Sequence, residues 1–236
     1  MGSSGPSGTV TGRPAPAALP PSLRARLGPI AAAAALLVLA LGLLYAGHSG
    51  PGRADGWIRP LPHGVRTPWQ TFALATDYLG EPAGAVMLVA AAVTLSLLLR
   101  RPRAAVLTVA AAGAAVATTT LLKPLVGRTI NGGYLSFPSG HTAFLTAIAL
   151  VLALLVTGRL GLGRTAGLSL VLAAALAAGA AMGWAQVALG AHYPTDTLGG
   201  WCTALAVVPA TAWLVDGVAD RMTGTGRREP RGRHLV

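Results

Sequence analysis

Apolar runs at residues 29–47, 83–99, 104–122, 142–157, 165–184 and 197–215 divide the chain, with short polar or Pro- and Gly-rich stretches between them. A hydrocarbon core of about 30 Å takes roughly 17–25 residues of helix. Backbone polar groups in lipid must bond within their own segment, so each run is predicted to be a helix. The fourth run is the shortest and borrows a turn from Pro138-Ser139-Gly140-His141 ahead of it. Gly179 and Gly183 in the fifth run favour close approach of a neighbouring helix. Pro209 kinks the sixth run without ending it. The predicted fold class is therefore all-α: a polytopic membrane protein with a six-transmembrane-helix bundle over 29–215. Residues 1–28, rich in Gly, Ser, Pro and Ala, read as a disordered tail, and 216–236 as a basic tail that contacts the lipid surface. Residues 48–82 form the long loop, where Thr67-Pro68 starts a short surface helix carrying Trp69, Phe72 and Tyr78.

Composition sharpens this picture. Hydrophobic residues make up 53% of the 236-residue chain and charged residues 11%, against the ~25% charged usual for soluble proteins. The net charge of +11 comes from short arginine clusters between apolar runs, with no basic stripe interleaved with aromatics, so a nucleic-acid partner is not expected. With the N-terminus inside, thirteen cations fall on the cytoplasmic side, and five (Arg53, Arg59, Arg66, Lys123 and Arg128) fall outside. The positive-inside rule thus predicts a cell-membrane protein with both termini cytoplasmic. A signal peptide is the competing account of residues 1–47, but the apolar run exceeds the ~7–15 residues of an h-region and no clean cleavage site follows. Cys202, the single cysteine, excludes an intrachain disulfide and reads as a packing residue. Trp57, Trp69, Trp184, Trp201 and Trp213 fall near predicted boundaries and read as interfacial anchors, with Asp77 and Glu81 as solvated loop carboxylates.

In the predicted topology three polar stretches emerge on the extracytoplasmic side: Lys123-Pro-Leu-Val-Gly-Arg128, Pro138-Ser-Gly-His141 and His192-Tyr-Pro-Thr-Asp196. Four residues separate His192 from Asp196, so in a chain turning into a helix the carboxylate can reach the imidazole. A carboxylate holding one ring N–H leaves the other nitrogen free as nucleophile or base, although a structural His–Asp cap has the same spacing. Ser139 suits an N-cap, and Gly140 lets backbone amides approach a phosphate at a helix N-terminus. His141 beside that phosphate is placed to protonate a leaving oxygen. Lys123 and Arg128 read either as snorkelling anchors or as cations covering the oxygens of a transferring phosphoryl group.

Together these stretches resemble the type 2 phosphatidic acid phosphatase family, whose superfamily includes the vanadium haloperoxidases. The family signature is Lys-x6-Arg-Pro, Pro-Ser-Gly-His and Ser-Arg-x5-His-x3-Asp, and the resemblance covers roughly residues 65–215. It implies that His192 forms a phosphohistidine, Asp196 orients it, and His141 is the general acid. It further implies that Lys123, Ser139 and Gly140 hold phosphate oxygens, without a metal or other cofactor. Neither histidine shows metal-ligand spacing along the sequence.

Two positions depart from the signature: Ile130-Asn131 stands where the family has Arg-Pro, and Ala185-Gln186 where it has Ser-Arg. Arg128 is a partial substitute for one lost arginine, and Gln186 supplies an uncharged hydrogen bond in place of the other. Losing two charge-assisted contacts costs about one to three powers of ten in transition-state binding. The expected function is hydrolysis of a phosphomonoester or diphosphate on a membrane lipid. Candidates are polyprenyl (undecaprenyl or decaprenyl) phosphates and diphosphates, a glycosylated polyprenyl phosphate, phosphatidate and phosphatidylglycerophosphate. The alternatives are a phosphotransferase using the same intermediate and a lipid-phosphate-binding protein with weakened catalysis. Headgroup, oligomeric state and pathway are not read from the sequence.

Overall fold

The computed structural model describes residues 15–57 and 67–223. Its helices are α1 (Arg24–Leu44), α2 (Arg53–Trp57), α3 (Trp69–Tyr78), α4 (Pro82–Leu98), α5 (Pro102–Val126), α6 (Gly140–Leu160), α7 (Arg164–Ala188) and α8 (Pro194–Met222). A small antiparallel ribbon, β1 (Thr129–Ile130) with β2 (Tyr134–Leu135), joins α5 to α6. Proline at the first turn starts α4, α5 and α8, where its missing N–H costs no helical bond. Glycine in the left-handed region ends α5 at Gly127 and α6 at Gly161.

Five helices are long and apolar enough to cross a membrane: α1 (with the 3₁₀ turn before it), α5, α6, α7 and α8. The expected span at 83–99 is α4, which meets that test only together with α3, and the two are bent by 64° at their junction. The bend follows from Gly80-Glu81-Pro82, since proline opens a new helix and cannot continue the old one. The most apolar window of α6 is 61% buried and that of α1 only 22%, so α6 is the central helix and α1 a peripheral one. Leu107, Ala111, Leu150, Leu154, Ala204 and Val208 make the shared core of α5, α6 and α8. Helix α8 runs through Pro209 without interruption, as expected.

The α7–α8 contact bears out the reading of Gly179 and Gly183. A methyl group at Gly179 would meet the Trp201 ring at 2.2 Å, and one at Gly183 would meet Thr197 Oγ1 at 3.2 Å. Trp201 is accordingly not an interfacial anchor: its indole N–H donates to the Ala175 carbonyl at 2.9 Å inside this helix contact.

Both expected tails begin further out than the sequence suggested. The amides of Ala18 and Leu19 donate to the Asp216 carboxylate at 2.8 and 3.0 Å, and Leu19, Leu23 and Leu27 are buried in the core. Asp216 also meets Arg103 at 3.4 Å and Arg24 at 3.5 Å, and Arg103 pairs with Asp220 at 2.7 Å. A carboxylate in lipid-facing protein needs donors, and the segment before α1 supplies two amides. The remainder of those tails, residues 1–14 and 224–236, lies outside the described residues.

Candidate active site

All three polar motifs gather at one end of the bundle, opposite Asp216. The second and third are joined directly, the Ser139 amide donating to the Asp196 carbonyl at 3.0 Å. Glycines make that approach possible. A methyl group at Gly200 would meet the Ser139 carbonyl oxygen at 2.3 Å, and one at Gly199 would meet the Phe137 ring at 2.5 Å. Ser139 caps α6 as expected, its Oγ accepting from the Thr142 amide at 3.4 Å. It is fully buried and shares that Oγ with the Thr142 hydroxyl at 3.1 Å, so its side chain serves the cap.

Gly140, His141 and Lys123 line a cavity of about 570 Å³, with Thr119, Val109 and Phe144 further along its wall. The Gly140 and His141 amides lie in the first turn of α6, where amides have no intrahelical acceptor. The Lys123 ammonium makes no hydrogen bond or ion pair with any described residue. This end of the cavity thus presents a free ammonium, an imidazole and a helix N-terminus, a set that attracts an anion.

His192 lines a separate cavity of about 390 Å³ with Asp55, Ile130, Asn131 and Tyr193. Tyr193 is the N-cap of α8, so the turn at His192 precedes the helix and does not share a helical face with Asp196. The Asp196 Oδ2 still stands 3.7 Å from His192 Nδ1, beyond hydrogen-bond length, while it accepts the Tyr193 amide at 3.0 Å. His192 Nδ1 is buried and makes no other hydrogen bond among the described residues.

Arg128 departs most from its expected role. It is fully buried, with NH1 2.6 Å from Asp196 Oδ1 and 2.6 Å from the Thr195 hydroxyl, and NH2 2.6 Å from Asp55 Oδ2. The Tyr45 and Tyr193 rings sandwich its guanidinium, with centroids 4.1 and 4.4 Å away. Its terminal nitrogens are therefore taken, and it lines neither histidine's cavity. Phosphate binding is replaced by a structural task, holding α2, the β1 turn and the start of α8 together. Asp55 was not singled out in the sequence, because nothing local marks a loop aspartate whose partners lie 73 and 140 residues away. Burial pushes its carboxyl upward. Hydrogen bonds from the Thr195 amide and hydroxyl, the Gly52 amide and Arg128 outweigh that and hold it below the usual carboxylate range.

Gln186 also has a different partner from the one expected. Its side-chain amide donates to Asp77, and its main-chain carbonyl accepts the Ala191 and His192 amides at 2.9 and 3.3 Å. Asp77 in turn stands 3.6 Å from His141 Nε2, and so does Glu81. Asp77 is thus drawn in beside His141 and Gln186, while Glu81 stands at the rim with its side chain half exposed, as a loop carboxylate is expected to. A ring-against-backbone contact fixes the arrangement, because a methyl group at Gly80 would meet His141 Cδ2 at 2.2 Å. One chain of contacts therefore runs from His141 through Asp77 and Gln186 to the backbone of His192, and on through Asp196 to Arg128 and Asp55.

Residues 70–219 match the PAP2 superfamily. Among solved structures, the chain is similar to a transmembrane PAP2 type phosphatidylglycerolphosphate phosphatase from Bacillus subtilis. The TM-score is 0.61 at 20% identity, covering 81% of this chain and 96% of that one. At that identity the likeness shows the fold. No curated protein matches the chain.

Proposed function

This chain belongs to the PAP2 superfamily, and we propose that it is an integral membrane phosphatase that removes phosphate from a membrane lipid at the extracytoplasmic face. The cavity holding Lys123 and His141 carries the reading. Along α5 it extends from Lys123 to Val109, fourteen residues or about 21 Å of helix. Its polar end suits a phosphate, and Ala85, Val89, Val109, Ala112 and Gly113 below suit an alkyl or prenyl chain. The positive-inside count supports the extracytoplasmic placement and cytoplasmic termini.

In the proposed mechanism His192 attacks phosphorus through Nε2, since its Nδ1 faces Asp196. The N–P bond forms as the bond to the lipid oxygen breaks, and His141 gives that oxygen a proton. Water then attacks the phosphohistidine, His141 takes its proton back, and phosphate leaves. Lys123 and the Gly140 and His141 amides balance the charge that builds on the phosphoryl oxygens. Both imidazoles must act on one phosphorus, and the Asp77–Gln186 hydrogen bond links the segments that carry them. The test is phosphate release from polyprenyl phosphates and diphosphates, phosphatidate and phosphatidylglycerophosphate by purified protein in detergent. We expect His192→Ala to abolish release and trapping with acid-labile label to mark His192. Undiminished release by His192→Ala sinks the reading.

A second reading is supported by the engagement of Arg128 and Gln186, which leaves Lys123 as the free cation named above. On that reading the chain binds a lipid phosphate without turning it over. Vanadate binding with no release from any lipid in the panel would select it.

A further inference from the structure

Asp77 ends α3, Glu81 precedes α4 and His141 opens α6, so the 64° bend brings three elements together at the mouth of the larger cavity. One donor atom from each lies within 4.8 Å of the others. His141 Nε2 is 3.6 Å from Asp77 Oδ1 and 3.6 Å from Glu81 Oε1, is itself shielded from solvent, and makes no hydrogen bond. A cation between these atoms would engage all three at once and give the buried Nε2 a partner. A proton on Nε2 would serve only at about 2.7–3.2 Å. Ligands held about 2.0–2.2 Å from a tetrahedral ion stand roughly 3.3–3.6 Å apart. The two separations from His141, 3.6 Å each, fall in that range.

Surrounding groups complete such a site. The Gln186 amide donates to Asp77 Oδ1, the oxygen nearest His141, and holds the carboxylate in place, as hydrogen-bond partners of metal ligands do. Glu81 makes no capping hydrogen bond at the start of α4, so its side chain is free to ligate. Gly80 lets the imidazole ring lie flat against the turn between the two carboxylates. The Glu81 side chain is half exposed, so water can reach the cluster as a fourth ligand. One imidazole and two carboxylates suit a first-row divalent ion such as zinc.

We propose that Asp77, Glu81 and His141 form a divalent transition-metal site, and that its occupation withdraws His141 from proton transfer and so inhibits the enzyme. The inhibitory part rests on the phosphatase reading; the site itself does not. A metal bond to Nε2 occupies the lone pair that would otherwise carry the proton.

The test uses the full chain in detergent, stripped with chelator and titrated with Co²⁺. We expect one equivalent to bind with the visible absorption of a four- or five-coordinate ion, and Zn²⁺ to displace it. His141→Ala should abolish this absorption, and Glu81→Gln should weaken binding at least ~10-fold. In chelator Glu81→Gln should release lipid phosphate as the parent chain does, and zinc that stops the parent should not stop the variant. Cobalt binding unaffected by both substitutions overturns the site. Binding that leaves phosphate release intact overturns the inhibition. A parent chain inactive in chelator refutes the phosphatase reading, and the cobalt titration still decides the site.

Discussion

Each end of the bundle holds a buried ionic cluster, and the two are built differently. Near the candidate site Arg128 is enclosed by Asp55, Asp196 and two tyrosine rings, so one cation answers two carboxylates. At the opposite end Asp216 is answered by Arg103, Arg24 and two main-chain amides. The first cluster has a single cation, with amides and a hydroxyl as its other donors; the second has two cations for Asp216. The candidate-site end therefore has no second cation to fall back on, while the far end ties down a chain segment with two.

The largest contrast should come from removing each arginine. Arg128→Met leaves two buried carboxylates without their cation and should destabilise the protein by about 3–5 kcal/mol, or prevent folding. Arg103→Met leaves Asp216 with other donors and should cost about 1–2 kcal/mol. Thermal unfolding in detergent, followed by tryptophan fluorescence, measures both, and equal losses would break the comparison.

Next is Gly200→Ala, where the new methyl meets the Ser139 carbonyl, a backbone atom that no rotamer change can move. A loss of about 1–3 kcal/mol is expected, with phosphate release falling because the segment bearing His141 shifts. Activity unchanged at the parent's melting temperature would show that the site-end packing is softer than argued. Lys123→Met should lower release about 10–100-fold with little change in melting temperature, since Lys123 has no described ion-pair partner to strand.

Asp216→Ala should speed hydrogen exchange at the Ala18 and Leu19 amides while sparing phosphate release. Loss of release there would mean the two ends are coupled. The smallest effect concerns pH. The Asp55 carboxyl lies below its ordinary 3.8 in the folded protein, so its contribution is complete above that value. It is lost as pH falls through the lower folded value. Asp55→Asn should flatten the acid limb of the stability curve, and an unchanged limb would assign it to other groups.

Much of this was legible in order along the chain. Hydrophobic runs of membrane length announce helices because lipid offers the backbone no other partner, and Gly179-x3-Gly183 announced a contact that Trp201 and Thr197 occupy. Ser139 read correctly as a cap because capping is a local property of four residues. Arg128 and Gln186 were misread because their partners are distant in sequence. A cation in a polar loop gives no sign that two carboxylates and two tyrosines will close over it. Asp77 looked solvated for the same reason, since the bend that turns it towards His141 is a property of two helices.

The sequence by itself determined which segments are long and apolar enough to be membrane helices, with 83–99 alone left to the fold, and which family the chain belongs to, because hydropathy and motif spacing are written in nearest neighbours. Only the tertiary structure decided which charged groups stay free and which are consumed. That choice depends on what each side chain meets across the bundle, where removal from water makes an unpaired charge too costly to leave.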